Sequence, residues 1–445
     1  MKQHREPFIK IAWGLIILFV LGLAIIQTMP NVLQEGEVDD PTGLVMAQLQ
    51  GEYLLGVASL LGSEREIAMQ AGILDAGTVE QRQRYMAFMI ALGEPDLAKQ
   101  SALKMQVELE GQQRELNEKQ TLVQEDLELL ASGATLPDDH ADLKKQLGWF
   151  GELLEANLSQ REALERSAAN KVLAVGGIVL FIILAAIIGF VGLVIMLVKS
   201  LTGTVGSRLN SAQPQHGIYA EVFALWLITF LVFMSLAPIL GNVMAKHNTV
   251  VAMSCSLVAF FGSLIVLFWA RIRGISWNQI REDIGWTSGT NVIKESLWGI
   301  AGYAMMLPIL GVGIILVLLL VFIQSFITGG SGGDPFAGTS GGAHPIVLDI
   351  ANGSWQIRIL LVVLAAVAAP IVEETMFRGV LYRQLRTSSK RLGIALSIIC
   401  SVLLTSFLFA AIHPQGWVAI PALMAIAIGM NLMREWRGTL IPSMV

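Results

Sequence analysis

Long apolar runs recur along this chain, and they limit its folding more than any other feature. They lie at about 11–29, 172–198, 218–240, 249–270, 295–324, 355–381, 393–412 and 417–433. Runs of this length match the ~20 residues that one helix needs to cross a hydrocarbon core of ~30 Å. Lipid offers the backbone no hydrogen-bond partners, so a crossing segment satisfies its own as a helix. Of the 445 residues, 54% are apolar and 15% charged, the balance of an integral membrane protein with many spans. The net charge of −5 excludes little, because the acids concentrate in one hydrophilic region. Cys255 and Cys400 both fall inside apolar runs, where they read as small apolar residues and not as a disulfide framework.

The basic residues set a topology. Lys2, Arg5 and Lys10 precede the first run. Lys199 and Arg208 follow the second, and Arg271, Arg273 and Arg281 follow the fourth. Arg383, Arg386, Lys390 and Arg391 follow the sixth, and Arg434 and Arg437 the eighth. Even-numbered spans therefore end in the cytoplasm, with the N-terminus on that side and residues 31–170 outside. The first run is longer than a secretory apolar core and no small-x-small cleavage site follows it, so it reads as an uncleaved anchor. The setting implied is a bacterial plasma membrane.

Residues 31–170 are polar and acid-rich, and hold no long apolar run. Helical periodicity runs through Leu44–Leu61, Val79–Leu92, Leu97–Glu115 and Ala141–Arg166. Gly93-Glu94-Pro95-Asp96 marks a break with Asp96 as a candidate cap. The expectation is a small all-helical domain, with or without a ligand. The segment from Ala91 to Met105 has a faint tetratricopeptide character, and no period supports it. Two loops stand apart. Gly329–Pro345 is Gly/Ser-rich, without the strand or the Lys-Ser/Thr of a phosphate loop. Ser276–Trp286 is a short amphipathic segment expected to lie at the membrane interface.

The chemistry concentrates in Pro370–Arg386, PIVEETMFRGVLYRQLR, which follows the apolar run Ile359–Ala369. Each charge placed in a span costs ~2.5–3.5 kcal/mol on insertion scales, and such charges face a protein interior or a wet cavity. A helix puts Glu374 and Arg378 one turn apart, where an ion pair forms. Glu373 lies ~100° round from Glu374. One acid is then held by arginine while the other faces elsewhere, which suits a supported general base. The same residues would also suit a solvated helix end. The next span ends Phe409-Ala-Ala-Ile-His413, and His413 taken alone would suit an interface residue before Pro414. Charges in spans also line ion paths, but there is no inverted repeat and these charges cluster in one place.

Glu373-Glu374-Thr-Met-Phe-Arg378 followed by Phe409-Ala-Ala-Ile-His413 on consecutive spans resembles the CPBP family, the CAAX proteases and bacteriocin-processing enzymes. The eukaryotic members of that family are the type II CAAX prenyl endopeptidases. Phe377-Arg378-Gly379-Val-Leu-Tyr382 and Gly438-Thr-Leu-Ile-Pro442 resemble its flanking sequences. The resemblance covers residues 215–445, which would form the protease core. Residues 1–30 would be an anchor, 31–170 the outer domain, and 171–214 a second membrane helix with a cytoplasmic linker. The fold class implied is all-α, a polytopic membrane bundle with an inserted extramembrane helical domain. The activity implied is an intramembrane endopeptidase acting on membrane-anchored peptides or proteins. By resemblance Glu373 activates water, Glu374 and Arg378 hold the site in shape, and His413 positions the water or a metal. Zinc on His413 and Glu373 is one option, and a metal-free glutamate mechanism the other. A catalytically inactive scaffold or immunity protein of the same fold is the alternative function. The family's last motif, His-x-x-x-Asn after the Gly-Thr-Leu-Ile-Pro turn, has no counterpart up to Val445. The eight residues from Gly438 make only ~12 Å of helix, so the sequence is expected to continue.

One geometric condition attaches to this reading. Arg386 lies 13 residues from Glu373, ~20 Å of helix, and Arg391 lies 22 residues from His413, ~33 Å. Helices entering the membrane at those basic ends would set Glu373 and His413 ~13 Å apart in depth. The later span must therefore start lower, tilt or slide for the two to share a water.

Overall fold

A computed structural model describes residues 6–28, 41–62, 64–75, 77–136, 142–204, 206–209, 217–245, 248–327, 350, 353–413 and 415–445. The loop Gly329–Pro345, and His4, His140, His216, His247 and His344, lie outside the described residues. Every regular element among the described residues is helical, and the chain is an all-α integral membrane protein. Eight described helices are long and apolar enough to cross a membrane. Seven of them correspond to the apolar runs from 172 onward. The eighth, Leu44–Leu61, falls in the region expected to hold no such run. Its mean hydropathy of 1.3 is the lowest of the set, which is why the eye passes over it. The first helix, α1 (Glu6–Thr28), has a described apolar stretch of only Phe8–Leu23.

Contacts divide the chain into two units, Leu33–Phe181 and Met1–Val32 with Ile182–Val445. The first unit holds α2 (Pro41–Leu61), α3 (Glu64–Gln70), α4 (Val79–Ala91), α5 (Pro95–Gln112), α6 (Glu118–Ala131), α7 (Leu143–Leu147), α8 (Trp149–Leu154) and the first half of α9 (Leu158–Leu201). They enclose Leu55, Met86, Phe88 and Phe150, with Phe88 and Phe150 edge to face at 6.0 Å. Capping boxes at Thr78–Gln81 and Asn117–Gln120 start α4 and α6. Asp96 is not a cap. Pro95 opens α5, whose N-cap is Glu94, and Asp96 sits in the first turn. The periodic stretch Ala141–Arg166 is not one helix either, because Gly148 at φ 61° separates α7 from α8.

The second unit holds α10 (Ile218–Ala245), α11 (Thr249–Gly262), α12 (Leu267–Ile272), α13 (Trp277–Ile284), α14 (Val292–Ile327), α15 (Trp355–Ser388), α16 (Ile394–Ala411), α17 (Ile420–Arg437) and α18 (Ile441–Met444). α10 packs on α1 and α11, and α17 packs between α14 and α16. The core is aromatic where α10, α15 and α16 meet. Phe377 stands edge to face with Phe223 at 5.3 Å, Trp226 at 5.6 Å and Phe409 at 5.1 Å. Such geometry sets ring edges against ring faces and fixes side-chain positions more tightly than aliphatic packing does.

The amphipathic segment Ser276–Trp286 buries its apolar face against protein. It is α13, capped by Ser276, with Ile280, Asp283 and Ile284 buried against α15. Buried ion pairs tie it and its neighbours together. Asp283 accepts from Tyr219 at 2.8 Å and pairs with Arg383 at 3.2 Å. Glu435 takes both Arg386 nitrogens at 3.0 Å and accepts from Tyr382 at 2.7 Å. Glu295 takes Arg437 at 2.7 and 2.8 Å. The Gly438–Leu440 turn docks on the end of α13, where Leu440 N–H donates to the Gly285 carbonyl at 3.1 Å. Gly285 has φ 87°, and a Cβ there would stand 2.4 Å from Arg434 Nη1. Gly285→Ala is expected to lower stability by ~1–3 kcal/mol through left-handed strain alone, with the clash adding to it. A melting temperature in detergent equal to that of the parent would refute this.

Candidate functional site

α15 is not a regular α-helix. Leu364–Ala368 and Glu374–Leu381 are π-helical, with one α-helical turn, Ala369–Glu373, between them. Pro370 accounts for a local departure: it has no N–H to give and its ring crowds the carbonyl one turn back. π-turns in otherwise α-helical segments collect at functional sites, and here the second one begins at Glu374. Its side chains Met376, Phe377 and Val380 are wholly buried, so the wide turn is held from several sides.

The expected ion pair is present. Arg378 Nη1 lies 2.7 Å from Glu374 Oε1, and the two side chains are 0% and 3% exposed. It is a bare pair. Glu374 Oε2 and the Arg378 guanidinium nitrogens are buried without a well-directed hydrogen bond in the protein. Phe409 supplies a different contact, its ring centre lying 4.5 Å from the guanidinium carbon. A desolvated cation over an aromatic face gains ~2 kcal/mol. Ser443 of α18 lies beside the Glu374 carboxylate. Glu373, one residue back, is half-buried, with Arg378 and Glu374 as its charged neighbours.

His413 follows the last turn of α16 and is half-buried. Its ring lies 4.3 Å from that of Phe409, and its Nδ1 lies 2.6 Å from the Phe409 carbonyl. A carbonyl only accepts, so Nδ1 carries the proton in this contact. Arg378 and His413 thus both lie against the Phe409 ring, with Glu374 paired to Arg378 and Glu373 adjoining that pair. The hairpin changes the register from which that depth was counted. Ser389 bonds Ser397 at 2.7 Å and Ser401 at 3.2 Å, so residues 390–396 pass beyond the level where the helices pair. α16 starts lower than its basic flank implies, and Phe409 comes level with Phe377 and Arg378.

Sequence reasoning missed the residues behind the site. The Thr375 hydroxyl donates to the Ile371 carbonyl at 2.6 Å and accepts from Trp286 Nε1 at 2.9 Å. Gly379 lets α13 approach, since a Cβ there would lie 2.9 Å from the Ile284 carbonyl oxygen. The indole of Trp286 in a short amphipathic segment was the one available signal, because a buried Trp N–H requires an acceptor. A zinc ion on His413 and Glu373 would need a third protein donor, as catalytic zinc sites normally have. No three His, Cys, Asp or Glu side chains converge among the described residues. That donor set does not fit a zinc centre.

The family model described as type II CAAX prenyl endopeptidase, Rce1-like, matches residues 354–445. These residues form a domain of that intramembrane protease family. The Rce1-like domain runs from α15 through α18 and includes Glu373, Glu374, Arg378, Phe409 and His413. No curated protein and no solved structure matches the chain. Within the domain, removing one member of a buried ion pair strands the other. Glu374→Gln and Arg378→Met are each expected to destabilise the protein by ~3–5 kcal/mol, and the double variant by less than their sum. Thermal unfolding of the three variants checks this, and additive losses would count against a coupled pair.

Proposed function

We propose that the chain is an intramembrane endopeptidase that hydrolyses peptide bonds of membrane-associated substrates. The supporting observation is that Phe409 carries both His413 and the arginine of the Glu374–Arg378 pair, beside Glu373, in helices long enough to span a bilayer. Peptide hydrolysis needs an activated water and a stabilised oxyanion. Glu373 takes a proton from water as the oxygen attacks the carbonyl carbon. The tetrahedral intermediate then collapses, and Glu373 returns the proton to the leaving amine. His413, donating through Nδ1 to its own helix, presents Nε2 to accept from that water and aim its lone pair.

Arg378 is too deep to touch a substrate, and acts through its field. A positive charge in a medium of low dielectric favours the negative charge that develops on the carbonyl oxygen. Glu374 and Phe409 fix the guanidinium in place, which makes that field preorganised. The catalytic groups of this scheme are Glu373 and His413, and Glu374, Arg378 and Phe409 are positioning residues. The charge pattern of the loops supports an N-terminus in the cytoplasm with residues 31–170 on the other side of the membrane, and an outer domain of that kind favours a bacterial plasma membrane.

The test is cleavage of a membrane-anchored reporter peptide by purified protein in proteoliposomes. Glu373→Gln and His413→Ala should each lower kcat by ~10²–10⁴, the range typical of a lost acid–base group. Full activity in either variant would sink the mechanism. Failure of the parent protein to cut any anchored peptide would favour a non-catalytic scaffold of the same fold.

A further inference from the structure

One face of α16 repeats every four residues: Ser397, Ser401, Thr405, Phe409, and then His413 beyond its end. Ser397, Ser401 and Thr405 are at most 1% exposed. At the hairpin end the stripe is fully bonded, by Ser389 to both serines and by Arg386 to Ser397. At the other end Phe409 carries Arg378 and His413.

Between those ends the polar atoms lose their protein partners. Thr405 Oγ1 is buried and unbonded. Its neighbour Ser406 accepts from Asn431 Nδ2 of α17 at 3.0 Å, yet Asn431 Oδ1 is buried and unbonded. Both residues are 0% exposed. A threonine inside a helix can bond back to the carbonyl four residues earlier, as Thr375 and Thr387 do here. Thr405 does not. Arg378, whose guanidinium lies over the next ring along the stripe, adds further bare donors.

Orphaned polar atoms in a protein interior are rare, and where they cluster in a polar site a buried water with two to four bonds is the usual partner. The spacing fits. Four residues of helix rise ~6 Å, and two O–H···O bonds of ~2.8 Å laid end to end bridge nearly that distance. The hairpin is the end nearer solvent: Arg386 and Ser389 are half-buried and Lys390 is exposed.

We propose that Thr405 and Asn431 hold buried water, and that the Ser397–Ser401–Thr405 stripe leads water from the hairpin end to the Glu374–Arg378 pair. The use of that water in hydrolysis rests on the endopeptidase reading, whereas the water site does not. Inside a bilayer the hydrolytic water needs a route that lipid does not provide, and this stripe supplies one on the same helix as His413. Thr405 and Asn431 are positioning residues in this scheme.

The experiment is X-ray radiolytic labelling of the full chain in proteoliposomes made up in ¹⁸O water, with water as the probe. Radicals born at the held water should place ¹⁸O on Phe409. Thr405→Val keeps the shape but drops the hydroxyl, and Asn431→Leu removes the other partner. Each should lower Phe409 labelling at least ~5-fold, the ratio expected from losing one buried hydrogen bond, while Thr405→Ser restores it. In the cleavage assay Thr405→Val should lower kcat by a similar factor and leave KM unchanged. Glu373→Gln should lower cleavage ~10²–10⁴-fold and leave the labelling intact. Unlabelled Phe409 in the parent, or equal labelling in parent, Thr405→Val and Asn431→Leu, overturns the proposal. A protein that labels as described but cuts nothing upholds the water site and removes the endopeptidase reading alone.

Discussion

A bare arginine–glutamate pair in the middle of a helix bundle is the constraint that the rest of the membrane unit serves. Taking two charges out of water costs several kcal/mol per ion, and attraction recovers this only with good geometry and with the remaining polar atoms satisfied. Glu374 and Arg378 meet the first condition at 2.7 Å and fail the second, because their remaining polar atoms are left bare. Such an arrangement survives only where its surroundings over-determine it. Here they do: Phe409 and Phe377 flank the guanidinium, Ser443 approaches the carboxylate, and the π-turn that carries both residues is buried along its length. The cost is local, and it falls in the π-turn that carries both residues.

What fixes that turn is a ring of better satisfied charges at the ends of the same helices. Asp283, Glu295 and Glu435 each face an arginine and at least one further donor. These pairs join α10, α13, α14, α15 and α17. The indole of Trp286 then reaches Thr375, next to Glu374. The two kinds of buried pair divide the labour. The fully bonded ones hold the helices in register, and the bare one retains unspent hydrogen-bonding capacity at the site.

The fold class was readable because length and continuity of apolar runs decide it, and α9, α10, α14 and α16 lie where those runs lie. The Glu374–Arg378 pair was readable because a four-residue spacing survives the change from α to π geometry. The π-turns were not, since a sequence shows Pro370 but not how a helix absorbs it. The protein partner of Ser276–Trp286 was not readable for a related reason: an amphipathic face toward lipid and one toward a protein groove have the same periodicity. Leu44–Leu61 misled, because glutamine and glutamate interrupt a segment whose mean is still apolar.

The hairpin between α15 and α16 shows how register, more than residue identity, makes a site. Counting from basic flanks sets Glu373 and His413 at different depths, because it treats charged residues as markers of the membrane surface. Arg386 is no such marker. Its side chain is committed to Glu435 and Ser397 inside the protein, so the chain overshoots it before turning. From Ser389 back to Phe377 is 12 residues, and from its partners Ser397 and Ser401 on to Phe409 is 12 and 8, a mean difference of ~3 Å of straight α-helix. The wide turns of α15, which use more residues for a given advance, take up part of that difference. The π geometry thus does two things at once: it carries the buried pair, and it helps bring Phe377 and Arg378 level with Phe409.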